Sequence, residues 1–294
     1  MRKLLGLALL LAAPLSAQQK VSRRIAIDPE ASIRIMNLSG LIRIIGWEVD
    51  SIAVTGSLSP GSSFYMAGKG LAAKMGVERK DDTLADPGSI LEIRVPRRAR
   101  IWVKSVSAGI EASGLTGELE CSTVSGSIRI EGSLKLLVAE SMDGELKAFG
   151  PMDVVRLKGG AGTITLRGAR GDIQAFTVGG AIVATDGAVV RAHLETVSGT
   201  ISYDGSVDQR GTLEAITHSG DVTLRLPPEI SAEFDLESFD GGIVAGLIDK
   251  GGKGSKGGED ARPVRGKPVS FMTSGGGANV KVRSFKGEIR ILKR

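Results

Sequence analysis

Residues 125–166 read SGSIRIEGSLKLLVAESMDGELKAFGPMDVVRLKGGAGTITL, and the segment repeats one pattern with a period of 18 residues. An aliphatic residue returns at Ile128, Leu146 and Ile164, and each is followed two positions later by another apolar or small residue. The column continues on both sides at intervals of 18 to 21 residues: Ile110, Ile128, Leu146, Ile164, Ile182, Ile201, Val222 and Ile243. Because a unit of this length can bury its apolar side chains only against the next unit, the period predicts a stack of coils.

Each repeat contains two short strands. Ile128-Arg-Ile130 alternates apolar and polar residues, which is the period of a strand with one buried face. A second inward pair, Leu137 and Ala139 in this repeat, begins nine residues after the first. Corner residues such as Ser125-Gly126 suit tight reversals in which glycine adopts a positive φ. The pattern predicts an all-β fold, a parallel β-solenoid of flattened cross-section with two strands in each coil.

Composition and charge agree with a solenoid and argue against nucleic acid as a partner. The chain has 294 residues, of which 41 are glycine and only 4% are aromatic, as expected for a fold with many turns. The formal net charge is +5, but Arg2 and Lys3 contribute +2 and residues 249–267 contribute +3. The rest of the chain therefore has a net charge of zero and no basic excess that would attract nucleic acid.

Residues 1–17 have the pattern of a secretory signal peptide. Arg2 and Lys3 precede an apolar run over residues 4–13, and Ser16-Ala17 supply the small residues expected at the cleavage site. The run is too short for a permanent membrane helix, and no later segment reaches about 18 consecutive apolar residues. We therefore expect an exported protein of the periplasm, cell surface or medium, with no transmembrane segment after signal removal.

Residues 18–294 are predicted to form a single solenoid domain with regular coils in the middle and irregular ends. The predicted parts are an N-terminal cap coil (25–56), an insertion (57–89), the repeat coils (91–248), a flexible Gly- and Lys-rich excursion (249–268) and a C-terminal cap (269–294). Within the insertion, residues 64–77 predict a short amphipathic helix with Phe64, Leu71 and Met75 on one side. The insertion is expected to pack over the solenoid end.

Several structural motifs of the chain are similar to motifs of a known bacterial family. They are Asn37-Leu-Ser-Gly40, the Val95-Pro96 turn, the serial Ser-Gly corners and the closing Ser284-Phe-Lys-Gly287-Glu-Ile-Arg-Ile291. With them, the chain resembles a domain-of-unknown-function family whose members are described as candidate adhesins, and it is similar to the head-GIN auto-transporter adhesins. The resemblance spans about residues 30–294. It implies a right-handed β-solenoid in the cell envelope or outside the cell, and it brings no catalytic residues.

The chain offers few candidates for catalytic or metal chemistry. Cys121 is the single cysteine and falls on an inward column, so we expect a buried, unreactive thiol and no intramolecular disulfide. His193 and His218 have no second His or Cys at the spacing of a zinc site. The corners lack the aspartates of calcium-binding nonapeptide repeats. We therefore predict no catalytic residue, no metal and no cofactor.

Four carboxylates are the best enzymatic candidate, and all occupy outward positions of second strands: Glu214, Glu233, Asp235 and Glu237. Glu214 is on one coil and the other three are on the next coil along the chain. Carboxylates held close could act as general acid and base on a polysaccharide, because like charges raise one pKa. We favour the more ordinary interpretation, that these carboxylates are solvated side chains on exposed strands.

The sequence favours an exported, non-enzymatic β-solenoid that serves as an adhesin-like binding or scaffold module of the bacterial cell envelope. An envelope protein or a surface glycan is the expected partner. Outward aromatic residues that could stack on sugars are few, with Phe176 and Trp102 the main candidates. Two alternatives stay open: a β-helix polysaccharide lyase or hydrolase, and a sensor domain for envelope signalling.

Overall fold

The computed structural model describes residues 19–81, 83–247, 264–265 and 267–294, and every regular element in these ranges is a β-strand. The predicted signal peptide and most of the predicted Gly- and Lys-rich excursion lie outside the described residues. The strands are β1 (Gln19–Ala26), β2 (Ser32–Met36), β3 (Gly40–Trp47), β4 (Ser51–Leu58), β5 (Ser62–Lys69), β6 (Ala72–Arg79), β7 (Ser89–Pro96), β8 (Arg100–Lys104), β9 (Gly109–Leu115), β10 (Glu118–Thr123), β11 (Ile128–Gly132), β12 (Leu136–Ser141), β13 (Leu146–Phe149), β14 (Val154–Gly159), β15 (Ile164–Arg167), β16 (Arg170–Thr177), β17 (Ile182–Thr196), β18 (Ile201–Thr217), β19 (Val222–Leu226), β20 (Ala232–Ser238), β21 (Gly242–Ala245), β22 (Val264–Arg265), β23 (Val269–Thr273), β24 (Ala278–Ser284) and β25 (Ile289–Lys293).

The strands form two walls of a flattened solenoid. Wall A is the parallel series β6-β2-β8-β10-β12-β14-β16-β17-β18-β24-β20. Wall B is the parallel series β7-β3-β9-β11-β13-β15-β17-β18-β19-β25-β21. The long strands β17 and β18 each supply their first half to wall B and their second half to wall A. Alternate side chains of both walls point inward and form one apolar core.

The predicted column of aliphatic residues is present in the middle of the rod. Ile128 pairs in register with Leu146, Leu146 with Ile164, and Ile164 with Ile182. All four side chains are at most 1% exposed. The predicted parallel β-solenoid is therefore confirmed.

The order of coils at the C-terminal end differs from the prediction. Val222 pairs with Ile289 of β25, and Ile289 in turn pairs with Ile243 of β21. The last coil of the chain (β24 and β25) therefore lies between the coil ending in β19 and the coil of β20 and β21. The prediction that residues 269–294 form the final coil and cap is wrong in this respect. All coils present the same apolar columns, so the repeat pattern alone does not determine which coils are neighbours.

The N-terminal end is built in the same way. β2 lies between β6 and β8 on wall A, and β3 lies between β7 and β9 on wall B. The coil of β2 and β3, predicted as the N-terminal cap, is therefore covered by the coil of β6 and β7. Antiparallel strands lie beyond the outer coils: β4 on β7, β1 on β4 and β5 on β6, and at the other end β23 on β20 and β22 on β21. These strands pair with edges that would otherwise be open to other chains.

The predicted helix at residues 64–77 is wrong. β5 and β6 form an antiparallel hairpin whose turn contains Gly70, with φ at +58°. On β6, Ala73, Met75 and Val77 are buried and face the core, whereas Lys74 and Glu78 are exposed. Leu71, which the helix would have placed on its apolar side, is 68% exposed at the turn. Pairing of β6 with β2 extends the inward columns, and this tertiary contact outweighs the weak helical pattern.

The corner between wall A and wall B carries a buried hydroxyl in most coils. Ser141 Oγ donates a hydrogen bond to the Gly126 carbonyl of the preceding coil (2.9 Å) and accepts one from the Gly144 N–H (3.0 Å). The same pair of hydrogen bonds recurs at Thr196, Thr217, Ser238 and Ser284. These hydroxyls satisfy backbone groups that the turn removes from the ladder.

Candidate functional site

The outward side chains of wall A form rows that run along the rod, with neighbours about 4.8 Å apart. The central row follows the strand register and consists of Lys74, Arg34, Trp102, Glu120, Val138, Arg156, Gln174, His193, Glu214, Lys281 and Asp235. The central row is the reference for the positions of the candidate functional residues on this wall.

The acidic candidate residues are not on adjacent coils, and the expectation that they are is wrong. Lys281 of the intercalated β24 lies between Glu214 and Asp235. Glu237 lies 3.7 Å from the Arg283 guanidinium, on the same strand as Lys281. Asp235 accepts a hydrogen bond from Ser270 Oγ at 3.3 Å, and Glu233 pairs in register with Asn279. A strand that carries two cations therefore separates Glu214 from the carboxylates with which it would have to act on a substrate.

His193 lies between two carboxylates on wall A. Its Nδ1 is 3.0 Å from a Glu214 oxygen and its Nε2 is 3.0 Å from a Glu195 oxygen. Burial lowers the pKa of His193, but hydrogen bonds and negative charge from Glu195 and Glu214 outweigh that effect. The pKa of His193 therefore lies above its usual value, because the two carboxylates favour the charged form of the imidazole.

The raised pKa of His193 predicts a small dependence of stability on pH. The charged imidazolium stabilises the fold fully below the unfolded-state pKa of about 6.5, and the stabilisation is lost as pH rises through the raised pKa. Because the His193 side chain is 38% exposed, we expect the loss to be less than about 1 kcal/mol. Urea unfolding of the wild type and His193→Gln at pH 6 and pH 9 measures it. Equal changes in the two proteins would contradict the assignment.

Cys121 lies in the core, as its alternation pattern predicts. Its side chain is 1% exposed. Burial, with a contribution from Glu120, raises the pKa of the thiol to about 12. The thiolate needed for nucleophilic attack is therefore not available at neutral pH.

A cavity of about 470 Å³ opens on wall A near the N-terminal end of the rod. We call it the wall A cavity, and its polar and aromatic lining consists of Arg34, Tyr65, Lys74, Trp102, Lys104 and Glu120. Its volume falls within the range of small-ligand sites, about 300–1,000 Å³. Lys74 and Arg34 occupy neighbouring positions of the central row, with Trp102 and Glu120 next in line. These residues come together because β6, β2, β8 and β10 are successive strands of wall A.

The hairpin of β5 and β6 places Tyr65 at one side of the wall A cavity. Tyr65 pairs with Gly76, and a Cβ atom at Gly76 would lie 2.9 Å from the Tyr65 hydroxyl and 2.4 Å from the Met36 carbonyl oxygen. Only glycine at this position leaves room for the tyrosine ring beside the strand. Burial, followed by the charge of Glu78, raises the pKa of Tyr65, which keeps its hydroxyl protonated as a hydrogen-bond donor.

Trp102 is held in one orientation within the wall A cavity. Its Nε1–H donates a hydrogen bond to Glu120 Oε2 at 3.0 Å. Beside it, Met36 is 46% exposed, so thioether and indole together form an accessible apolar floor. The sequence singled out Trp102 as a possible sugar-stacking residue. It did not identify Arg34, Tyr65, Lys74 and Lys104 as its neighbours, because they meet Trp102 only through the order of the coils.

The other outward aromatic candidate lies farther along wall A. Phe176 belongs to a shallower cavity of about 260 Å³ that also includes His193, Arg156 and Lys158. Here the cations are already paired: Arg156 lies 3.0 Å from Asp172 and Lys158 lies 3.6 Å from Glu140. The sequence-predicted residues Phe176 and Trp102 are therefore in separate sites, and only that of Trp102 has free cations.

The comparisons with known proteins give the family. The sequence model of Toastrack DUF4097 matches residues 50–283. The chain belongs to this family. The Toastrack match covers most of the rod, including the β5–β6 hairpin and, in chain order, the strands from β7 to β23, and it agrees with the resemblance drawn from the corner motifs. Within the described ranges, this Toastrack chain contains no helix with the length and hydrophobicity that a membrane span requires.

Solved structures similar to the Toastrack chain include proteins of three bacteria. A candidate adhesin of Parabacteroides merdae ATCC 43184 has 13% identity and a TM-score of 0.44, with 94% of this chain and 97% of that chain covered. A candidate adhesin of Bacteroides fragilis NCTC 9343 has 10% identity and a TM-score of 0.43, covering 94% and 98%. A candidate cell adhesion protein of Clostridium sporogenes ATCC 15579 has 12% identity and a TM-score of 0.23, covering 94% and 100%. A comparison with curated proteins found no match.

Proposed function

We propose that this Toastrack chain is an exported, non-enzymatic binding module of the bacterial cell envelope, adhesin-like in action, which holds its ligand at the wall A cavity. The observation that carries the proposal is the composition of that cavity. It combines an oriented indole, a tyrosine and an exposed methionine with three cations. Rigid aromatic side chains beside unpaired polar groups are the usual content of a binding site.

The arrangement of carboxylates supports binding in preference to polysaccharide cleavage. Acid–base catalysis on a glycosidic bond generally requires two carboxyl groups that flank that bond in one substrate. On wall A, Lys281 stands between Glu214 and Asp235, and Arg283 pairs with Glu237. Glu120 is the single carboxylate among the lining residues of the wall A cavity, and it accepts a hydrogen bond from the Trp102 indole.

A binding screen with a matched pair of variants tests the proposed function. The full chain, the Tyr65→Ala/Trp102→Ala variant and the control Phe176→Ala would be applied to isolated bacterial envelopes and to a glycan array. We expect the wild type and Phe176→Ala to bind a common ligand and the double variant to lose at least tenfold in affinity. Equal binding by all three proteins, or release of soluble products from a polysaccharide, would contradict the proposal.

Export is tested separately by fractionating cells that produce the full chain. The pattern at residues 1–17 supports cleavage close to residue 18, so the protein outside the cytoplasm should begin there. N-terminal sequencing of the periplasmic, surface and medium fractions measures this. A full-length chain retained in the cytoplasm would contradict the proposed location without affecting the binding site.

A further inference from the structure

We propose that the ligand of the wall A cavity is an acidic saccharide, with one sugar ring against the indole of Trp102 and its carboxylate between Arg34 and Lys74. This inference rests on the proposed function and specifies the chemistry of the same site. It follows from three properties of the cavity: its unpaired charge, its oriented aromatic surface and its limited extent along the rod.

The three cations of the wall A cavity line a single site and form no ion pair with any residue that the structure describes. Among the described residues, no carboxylate lies within ion-pair distance of Arg34, Lys74 or Lys104. Other outward cations do have partners, as Arg43 has Glu111 at 2.9 Å and Arg156 has Asp172 at 3.0 Å. Three cations and the single carboxylate of Glu120 give the cavity a charge of +2. An anionic group is the complement that this surface lacks.

The spacing of the cations suits a carboxylate. Arg34 and Lys74 are register partners on adjacent strands, so their backbones are about 4.8 Å apart. Arginine presents a planar fork that matches the two oxygens of a carboxylate, and a lysine beside it adds a point charge. Lys104 is two residues after Trp102 on β8 and therefore lies on the same side of the strand, within reach of a second anionic group or of ring hydroxyls.

The aromatic residues supply the surface for the sugar ring. A pyranose has an apolar C–H face that packs on an aromatic ring, while its hydroxyls remain available for hydrogen bonds. The indole of Trp102 is fixed by Glu120, so little side-chain entropy is lost on binding. Tyr65 contributes a second ring and a protonated hydroxyl at the opposite side of the cavity. An inorganic anion would use the cations and leave both rings unused.

The surroundings favour a compact acidic ligand over an extended polyanion. Beyond Trp102, the central row continues with Glu120 and Val138, and the nearest following cation, Arg156, is already paired with Asp172. A nucleic acid or a charged membrane needs a continuous basic surface, because each phosphate contact adds to affinity. The three cations of the wall A cavity instead lie on three successive strands, β6, β2 and β8, and Glu120 and Val138 interrupt the row beyond them.

Titration with trigalacturonate, observed at the two tryptophan indoles, tests the proposal. The chain has two tryptophans, and Trp47 lies at the end of β3 on wall B, away from the cavity, where its indole donates a hydrogen bond to the Ser51 carbonyl at 2.8 Å. We expect trigalacturonate to shift the Trp102 indole N–H resonance in a ¹⁵N-labelled full chain and to leave that of Trp47 in place. Neutral trigalactose, as the matched probe, should bind at least tenfold more weakly.

Charge variants separate recognition of the carboxylate from general attraction. We expect Arg34→Gln/Lys74→Gln to lower the affinity for trigalacturonate at least tenfold, with no change for trigalactose. Lys158→Gln, which removes a cation on the same wall, should bind as the wild type does. The Trp47 resonance and the thermal transition confirm that each variant is folded.

Three outcomes would overturn the inference. If trigalactose shifts the Trp102 resonance as strongly as trigalacturonate, the cavity binds sugars without selecting acidic ones, and the proposed binding function stands while this inference fails. If phosphatidylglycerol vesicles bind and trigalacturonate does not, the cations serve a lipid surface. If the Trp102 resonance responds to neither sugar, and envelopes also bind the Tyr65→Ala/Trp102→Ala variant normally, both proposals fail.

Discussion

Replacing Ile164 by aspartate is expected to destabilise the rod by several kcal/mol, enough to unfold much of it at 25 °C. Ile164 is fully buried and pairs in register with Leu146 on one side and Ile182 on the other. A carboxylate at this position would have no cation or hydrogen-bond donor from the core columns, and burying it unpaired costs far more than the isoleucine contributes. Urea unfolding followed by circular dichroism measures the loss of free energy.

The neighbouring residue provides the matched control. Thr165 occupies the outward position of the same strand and is only partly buried. An aspartate there remains in contact with water, so Thr165→Asp should change the free energy of unfolding by less than about 0.5 kcal/mol. Similar losses for both variants would show that the strand does not separate a dry inner face from a wet outer face.

Replacing Gly180 by alanine is the second change for which we expect a large effect. A Cβ atom at Gly180 would lie 2.0 Å from the Gly162 carbonyl oxygen of the preceding coil and 2.7 Å from its carbonyl carbon. Both atoms belong to the backbone, so two coils would have to move apart. We expect a loss at or above the upper end of the usual range for overpacking, about 3 kcal/mol, measured as a lower urea midpoint.

Gly179→Ala is the control, because it makes the same chemical change one residue away in the same corner. A Cβ atom there would meet no atom closer than Ser198 Oγ at 3.9 Å. Since alanine also reduces the freedom of the unfolded chain, we expect a change between zero and a gain of about 1 kcal/mol. A large loss at Gly179 with little effect at Gly180 would contradict the close stacking of corners.

The architecture could be predicted from the sequence because the repeat shows directly which side chains are buried. Ile128, Leu146 and Ile164 could be aligned by spacing alone, and the alternation around them distinguished inward from outward residues. The corner glycines were also identified, but the reason given for them was wrong. Gly126 and Gly144 do not adopt positive φ, and glycine is needed there because successive corners pack backbone against backbone. Such contacts between coils are invisible in a single repeat.

The candidate site was largely beyond prediction because it depends on which coils are neighbours. Trp102 was recognised as an outward aromatic residue, but Arg34 and Lys74 lie 68 and 28 positions before it in the chain. Residues around Tyr65 were assigned to a helix, since Phe64, Leu71 and Met75 fit a helical face as well as a hairpin. Alternative coil orders satisfy the same apolar columns, so only the full set of strand pairs distinguishes them.

Disulfide trapping on wall A tests most directly the claim on which the candidate site depends, that the coil of β2 and β3 lies between the coil of β6 and β7 and that of β8 and β9. In a Cys121→Ala background, Arg34→Cys/Trp102→Cys would be compared with Lys74→Cys/Trp102→Cys under mild oxidation. Register partners about 4.8 Å apart are within disulfide range, whereas positions two strands apart, at about 10 Å, are not. We predict a bridge between positions 34 and 102 and none between 74 and 102. A bridge only between positions 74 and 102 would mean that the coils follow chain order, and it would contradict both the intercalated coil and the wall A cavity.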